Sequence, residues 1–160
     1  MAQRLNYAKA SPEGFRAMRG LQEHVDHCGL DPKMMELVKM RASQINGCAY
    51  CLDMHSKDAR AIGETEQRLY LLNAWRESPF YSERERAALA WTEALTRISE
   101  NEVSDELYAD IRKQFDEKEL VELTLAIVAI NAWNRLAIPF RSEPGHYQPR
   151  AHAAPADRPA

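Results

Sequence analysis

The sequence predicts an all-α fold, a helical bundle of roughly six or seven helices. Three observations carry this: helix start signals recur along the chain, apolar residues follow each of them at helical spacing, and no stretch alternates as a β-strand would.

Ser11-Pro12-Glu13 offers an N-cap, a proline at the first helical position and an acid near the positive end of the helix dipole. Phe15, Met18, Leu21 and Val25 follow, and Gly29 supplies a stop. Asp31-Pro32 repeats the start signal and launches a helix carrying Leu37, Val38, Ala42 and Ile45, expected to end near Asn46-Gly47. A third helix is expected from about Cys48 to Ile62, with Gly63 as its breaker, and Thr65 opens a short one through Leu69 and Leu72. After Ser78-Pro79, Ser82 and Glu85 form a capping box ahead of the stripe Ala87, Trp91, Ala94, Leu95 and Ile98. Ser104 starts a helix through Leu107, Ile111 and Phe115. Asp116 and Glu119 make a second capping box, and the last helix, Leu120 to Ile138, is expected to stop at Pro139. Residues 142–160 carry Pro144, Pro149, Pro155 and Pro159 with few apolar side chains, which predicts an arm or loose tail after a single domain over 1–141.

A chain of 160 residues is long enough for one unstapled core, and 45% apolar with 28% charged residues is ordinary for a globular protein. A net charge of -3 without any basic cluster argues against a nucleic-acid surface. The opening MAQRLNYAKASPEGF lacks the apolar stretch of a secretory signal. Leu120 to Ile130 is about half a membrane span and is interrupted by Glu122, so it reads as a core helix and no membrane partner is expected. These features predict a cytoplasmic protein. In that reducing setting a CxxC pair among three cysteines is more often redox-active or metal-binding than a structural staple.

The chemistry concentrates on Cys48-Ala49-Tyr50-Cys51 and His55. At 100° per residue, Cys48, Cys51 and His55 share an arc of about 60°, with Leu52 and Ala59 on the same side and Asp53, Lys57 and Arg60 on the other. Only about 3% of an ordinary cysteine is thiolate at neutral pH, so a reactive one needs help. A helix N-terminus would help Cys48, while His55, one turn beyond Cys51, is placed to take that thiol's proton. Either sulfur can attack and the other resolve, which is the minimum that peroxide or disulfide reduction requires. The rival is zinc: Cys28, Cys48, Cys51 and His55 could form a Cys3His site. Haem attachment is excluded, because Leu52 rather than a histidine follows Cys51.

Glu36, Cys48, Cys51 and His55 give the pattern E-x11-C-x2-C-x3-H, which resembles the core motif of the alkylhydroperoxidase D family, within the wider carboxymuconolactone decarboxylase-like group. INGCAYCLDMHSKDARAIG is similar to its signature helix pair, PFYSERERAALAWTEALT to the helix that follows, and NAWNRLAIPF to a common ending of single-domain members. The resemblance covers about Met34 to Ile98. It implies a helical homo-oligomer, a trimer or hexamer, with thiol-dependent peroxidase or disulfide-reductase activity, no cofactor, and an external dithiol or protein reductant of unknown identity. It also implies Cys51 as the peroxidatic sulfur, Cys48 as the resolving one, and Glu36 with His55 as a proton relay. Periodicity alone leaves Glu36 equally readable as a surface acid. The founding proteins carry a histidine between the cysteines where this chain has Tyr50, a poor base near neutral pH. The decarboxylase branch does not rely on a CxxC pair, which disfavours that reading.

Trp75, Trp91 and Trp133 read as core or subunit contacts. Asn131 and Asn134, amides in an apolar helix, need partners and either line the active-site pocket or meet a neighbouring subunit. His146 and His152 are expected to be solvated.

Overall fold

The computed structural model describes residues 2–100 and 102–149, and among them the chain forms eight α-helices, one 3-10 turn and no strand. These are α1 (Tyr7–Ala10), α2 (Pro12–Asp26), α3 (Pro32–Asn46), α4 (Ala49–Ala61), α5 (Glu66–Leu71, continued by the 3-10 turn Leu72–Ala74), α6 (Glu83–Thr96), α7 (Asp105–Arg112) and α8 (Glu117–Phe140). Pro155, Pro159 and His152 lie outside the described residues.

Local side-chain chemistry sets most boundaries. Asp31, Thr65 and Ser104 each accept a hydrogen bond from the backbone N–H three residues on, and both capping boxes form. Gly29, Gly47 and Gly63 take positive φ where α2, α3 and α4 give way to loops. Several boundaries differ from the sequence reading: α6 ends at Thr96, which leaves Ile98 exposed beyond it, and α7 ends at Arg112, so Phe115 enters the core from the turn that follows. α1 was not anticipated: its four residues have no apolar period, and its cap, the Asn6 side chain accepting from Lys9 N at 3.0 Å, is the only local signal. α8 runs through Pro139 to Phe140. A proline in the last turn removes a single ladder bond, and Arg141, in the left-handed conformation, then closes the helix by donating to Ile138 O. Arg4 caps the same end, its backbone N–H on Phe140 O at 3.0 Å and its guanidinium on Pro139 O at 3.2 Å.

α3 is the axis. Every residue from Met34 to Ser43 is buried, because α4, α6 and α8 pack around it. One end of the core joins Val38, Phe115, Leu123 and Ile127; a second cluster holds Leu37, Leu72 and Leu89. A third gathers Ala42, Cys48, Cys51, Ile130 and Ala137, which fixes the CxxC segment between α3 and α8. α8 is long and apolar enough to cross a membrane by length and composition, since it continues well beyond Ile130. Here it supplies core contacts to α2, α3, α4, α6 and α7, and its Glu122 pairs with His24 Nε2 at 2.6 Å. Trp75 and Trp91 are core residues that donate to Glu93 and Thr124; Trp133 donates to Gln22.

Leu123 and Val121, two residues apart on α8, are 0% and 59% exposed. Leu123→Ala is therefore expected to destabilise by about 2–5 kcal/mol and Val121→Ala by under about 0.5 kcal/mol in urea unfolding.

Candidate active site

Gly47, at φ 70°, ends α3 in a conformation that disfavours any Cβ, and turns the chain so that Cys48 N donates to Ser43 O at 3.0 Å. Cys48 thereby becomes the N-cap of α4, and its sulfur accepts from Cys51 N at 3.4 Å. The two sulfurs lie 2.6 Å apart and are both 1% exposed. A disulfide would need them to close by only about 0.5 Å.

Two negative charges cannot coexist at that separation, so the pair ionises once. The hydrogen bond from Cys51 lowers the Cys48 thiol to about 7; burial opposes this, and the N–H groups of Cys51 and Tyr50 and the Asn134 amide reinforce it. The same hydrogen bond, together with burial and the charge on Cys48, raises the Cys51 thiol. Asn134, fully buried on α8, donates to Ser43 Oγ at 3.2 Å and accepts from Asn46 Nδ2 at 2.8 Å; Asn131 accepts from the same Asn46 amide at 3.0 Å. The two amides singled out in the sequence thus find partners within the chain, and Asn134 faces the sulfurs. Ser43, a small polar residue in mid-helix, gave no signal.

The buried residues of α4 are Cys51, His55 and Ala59, at one-turn intervals. His55 Nδ1 meets Glu36 Oε2 at 2.8 Å, and Lys39 Nζ donates to Glu36 Oε1 at 2.8 Å. Burial alone would raise the Glu36 carboxyl, but the hydrogen bond and charge of His55, with Lys39, hold it at about 2. An ionised Glu36 only accepts, so Nδ1 carries a proton and Nε2 is left as the ring's exchangeable nitrogen. Among the described residues His55 forms no hydrogen bond to either sulfur; its partner is Glu36. Asp58 completes a cluster in which ligating atoms of Glu36, His55 and Asp58 lie within 4.8 Å of one another. Tyr147 donates to Asp58 Oδ1 at 2.7 Å, and Lys57 and Asp53 bind the backbone of Gly145, so residues 145–147 lie along α4. His146 within that segment is exposed.

The Cys3His set does not assemble. Cys28 packs with Leu21 and the α2–α8 core, apart from Cys48 and Cys51, and Glu36, His55 and Asp58 form the metal-ligand grouping found among the described residues.

Residues 12–94 match the carboxymuconolactone decarboxylase family. The uncharacterized protein YdfG of Bacillus subtilis is 46% identical over 138 residues, which are 86% of this chain and 94% of that protein. A crystal structure of a protein of unknown function from Agrobacterium tumefaciens, with a suggested role as the antioxidant defence protein AhpD, superposes with a TM-score of 0.88 at 47% identity, covering 91% of this chain and 100% of that one. An uncharacterized peroxidase-related protein from Ralstonia eutropha, described as an alkylhydroperoxidase AhpD core, has a TM-score of 0.77 at 19% identity, covering 88% and 75%, a likeness of fold alone.

Because the Glu36 carboxyl is lower in the folded state than its ordinary 4.5, its contribution is complete above pH 4.5 and is lost as pH falls toward about 2. That contribution is of order 3 kcal/mol. Melting temperature is expected to fall more steeply across this window in the wild type than in Glu36→Gln.

Proposed function

The chain belongs to the carboxymuconolactone decarboxylase family, and we propose that it is a thiol-dependent peroxidase and disulfide reductase working through the Cys48–Cys51 pair. The observation that carries this reading is a buried sulfur pair at contact distance, at a helix N-terminus that favours a single charge on Cys48.

The lowered Cys48 thiol favours a thiolate at neutral pH far more than an ordinary cysteine would. The Cys48 thiolate attacks the outer oxygen of a hydroperoxide. The O–O bond breaks, the sulfur keeps one oxygen as a sulfenic acid, and the other leaves as an alcohol after taking up a proton. Cys51 then gives up its proton, its sulfur attacks the sulfenic sulfur, and water departs as the disulfide forms. Two electrons have passed from the dithiol to the peroxide. An external dithiol restores the pair by two exchange steps and is itself oxidised. With a disulfide substrate the same thiolate begins by exchange. His55, one turn beyond Cys51, takes the Cys51 proton at Nε2, with Glu36 fixing the ring through Nδ1.

Resemblance assigns the attack to Cys51. The charge distribution in this chain favours Cys48, because the helix N–H groups and the Cys51 thiol all stabilise a thiolate there. The reading extends to cytoplasmic action against small hydroperoxides, with an unidentified dithiol or protein reductant and no cofactor, nucleic acid or membrane partner. It also includes assembly into a homo-oligomer of three or six copies. Exposed Val121, Val128 and Ile138 on α8 support the last point.

Turnover of cumene hydroperoxide with dithiothreitol is expected to fall at least about 100-fold in both Cys48→Ser and Cys51→Ser, and about 10- to 100-fold in His55→Ala. Full turnover in Cys51→Ser would refute the mechanism. Dimedone trapping separates the two sulfurs: Cys51→Ser should accumulate a sulfenic acid on Cys48, and Cys48→Ser should not.

A further inference from the structure

With both sulfurs 1% exposed, a substrate reaches them only past the side chains that cover them. Tyr50 is one of these, and Tyr7 stands along the same cleft. Tyr50 is partly buried against the cluster that contains Cys48 and Cys51. Burial raises the phenols of both Tyr7, on α1, and Tyr50; the Tyr7 hydrogen bond with Ser142 works the other way, and charge on Cys51 and Cys48 adds a smaller upward push to each ring. The tyrosines share one cleft of about 310 Å³ whose wall includes Asn6, Phe15, Ser142 and Glu143. On the far side of Tyr7 and Phe15 runs a second groove of about 320 Å³, lined by apolar side chains such as Leu5, Met18, Leu136 and Phe140.

We propose that this cleft is the substrate site, that Tyr7 and Tyr50 gate the sulfurs, and that it admits neutral hydroperoxides with an apolar body while turning away anionic ones. The hydroperoxide in that statement rests on the peroxidase reading; the gate and its charge preference do not. Three features support it. The cleft and its adjoining groove are of the size that takes small ligands, with aromatic rings as the dividing wall. Glu143 is the one formally charged residue lining the cleft, so an entering anion meets it and then the charge carried by the sulfur pair. The gate is lightly held. α1 buries no residue fully, and its ring contacts are tilted ones at 6.1 Å from Tyr7 to Phe15 and Phe140. Lifting α1 therefore exposes little apolar surface and is a low-cost local opening.

Two alkylating agents of nearly equal size, neutral iodoacetamide and anionic iodoacetate, read the gate without requiring peroxidase activity. Their rates at Cys48 and Cys51 would be followed by mass spectrometry of the full chain and divided by their rates with dithiothreitol. Tyr7→Ala is expected to accelerate both reagents about tenfold, with Tyr7→Phe in between, as the gating ring and its Ser142 bond are removed in turn. Glu143→Lys, at an exposed position that leaves the core untouched, is expected to shift the ratio about fivefold toward iodoacetate. Cumene hydroperoxide should oxidise the wild-type pair faster than the carboxylate-bearing linoleic acid hydroperoxide, and Glu143→Lys should narrow that gap. Unchanged rates in Tyr7→Ala would overturn the gate, and an unchanged ratio in Glu143→Lys would overturn the charge preference. Shifted alkylation with no reaction toward either hydroperoxide would leave the cleft standing and sink the peroxidase reading instead.

Discussion

A buried dithiol at contact distance can hold one negative charge, and the environment of these two sulfurs decides where that charge sits. The α4 N-terminus directs the N–H groups of Tyr50 and Cys51 toward Cys48. Asn134 brings a buried amide from the opposite side, anchored through Ser43 and Asn46. Cys51 keeps its proton because it shares a hydrogen bond with Cys48, is buried, and faces the charge on that neighbour. The low thiol of Cys48 and the high thiol of Cys51 are thus one electrostatic fact seen from two atoms. In the proposed chemistry one sulfur attacks, and the other is held in reserve until its proton has somewhere to go.

That destination is built by α3. A helix wrapped on all sides by α4, α6 and α8 has no solvent face, so its charged residues must be paired or lost to unfolding. Glu36 meets this demand with His55 and Lys39, and Arg41 with Glu93. The Glu36–His55 pair fixes which ring nitrogen is free. Because His55 lies one turn from Cys51 on the buried side of α4, the constraint that stabilises α3 also orients the ring proposed to take the Cys51 proton. Fold stability and site chemistry share the same hydrogen bond.

The parts of this arrangement visible in the sequence are those determined within a few residues. Ser82 with Glu85, Asp116 with Glu119, Asp31 and the left-handed glycines fix helix ends through bonds spanning three to five residues, so their signals are contiguous. The common face of Cys48, Cys51 and His55 follows from helical spacing for the same reason. Glu36 was different. Periodicity works when a helix has a dry and a wet side, and α3 has no wet side, so only the resemblance pointed to that acid. Asn134 was visible as an anomaly, an amide among apolar residues, but its orientation toward the sulfurs depends on how α8 crosses α3. Asp58 and Tyr147, separated by 89 positions, left no local trace. Neither did Ser43, or the placement of Tyr7 with Tyr50 along one cleft. Pro139 misled because the rule that prolines end helices holds least in the final turn.

The unequal ionisation of two adjacent thiols underlies every step proposed for this site. Thiolate absorbance in the far ultraviolet, followed against pH on the reduced protein, tests it directly. The account predicts one thiolate appearing with a midpoint near 7, a second withheld to a far higher pH than an ordinary cysteine, and loss of the lower step in Cys48→Ser. Two thiols titrating together in the ordinary cysteine range, or a low step that survives Cys48→Ser, would contradict it.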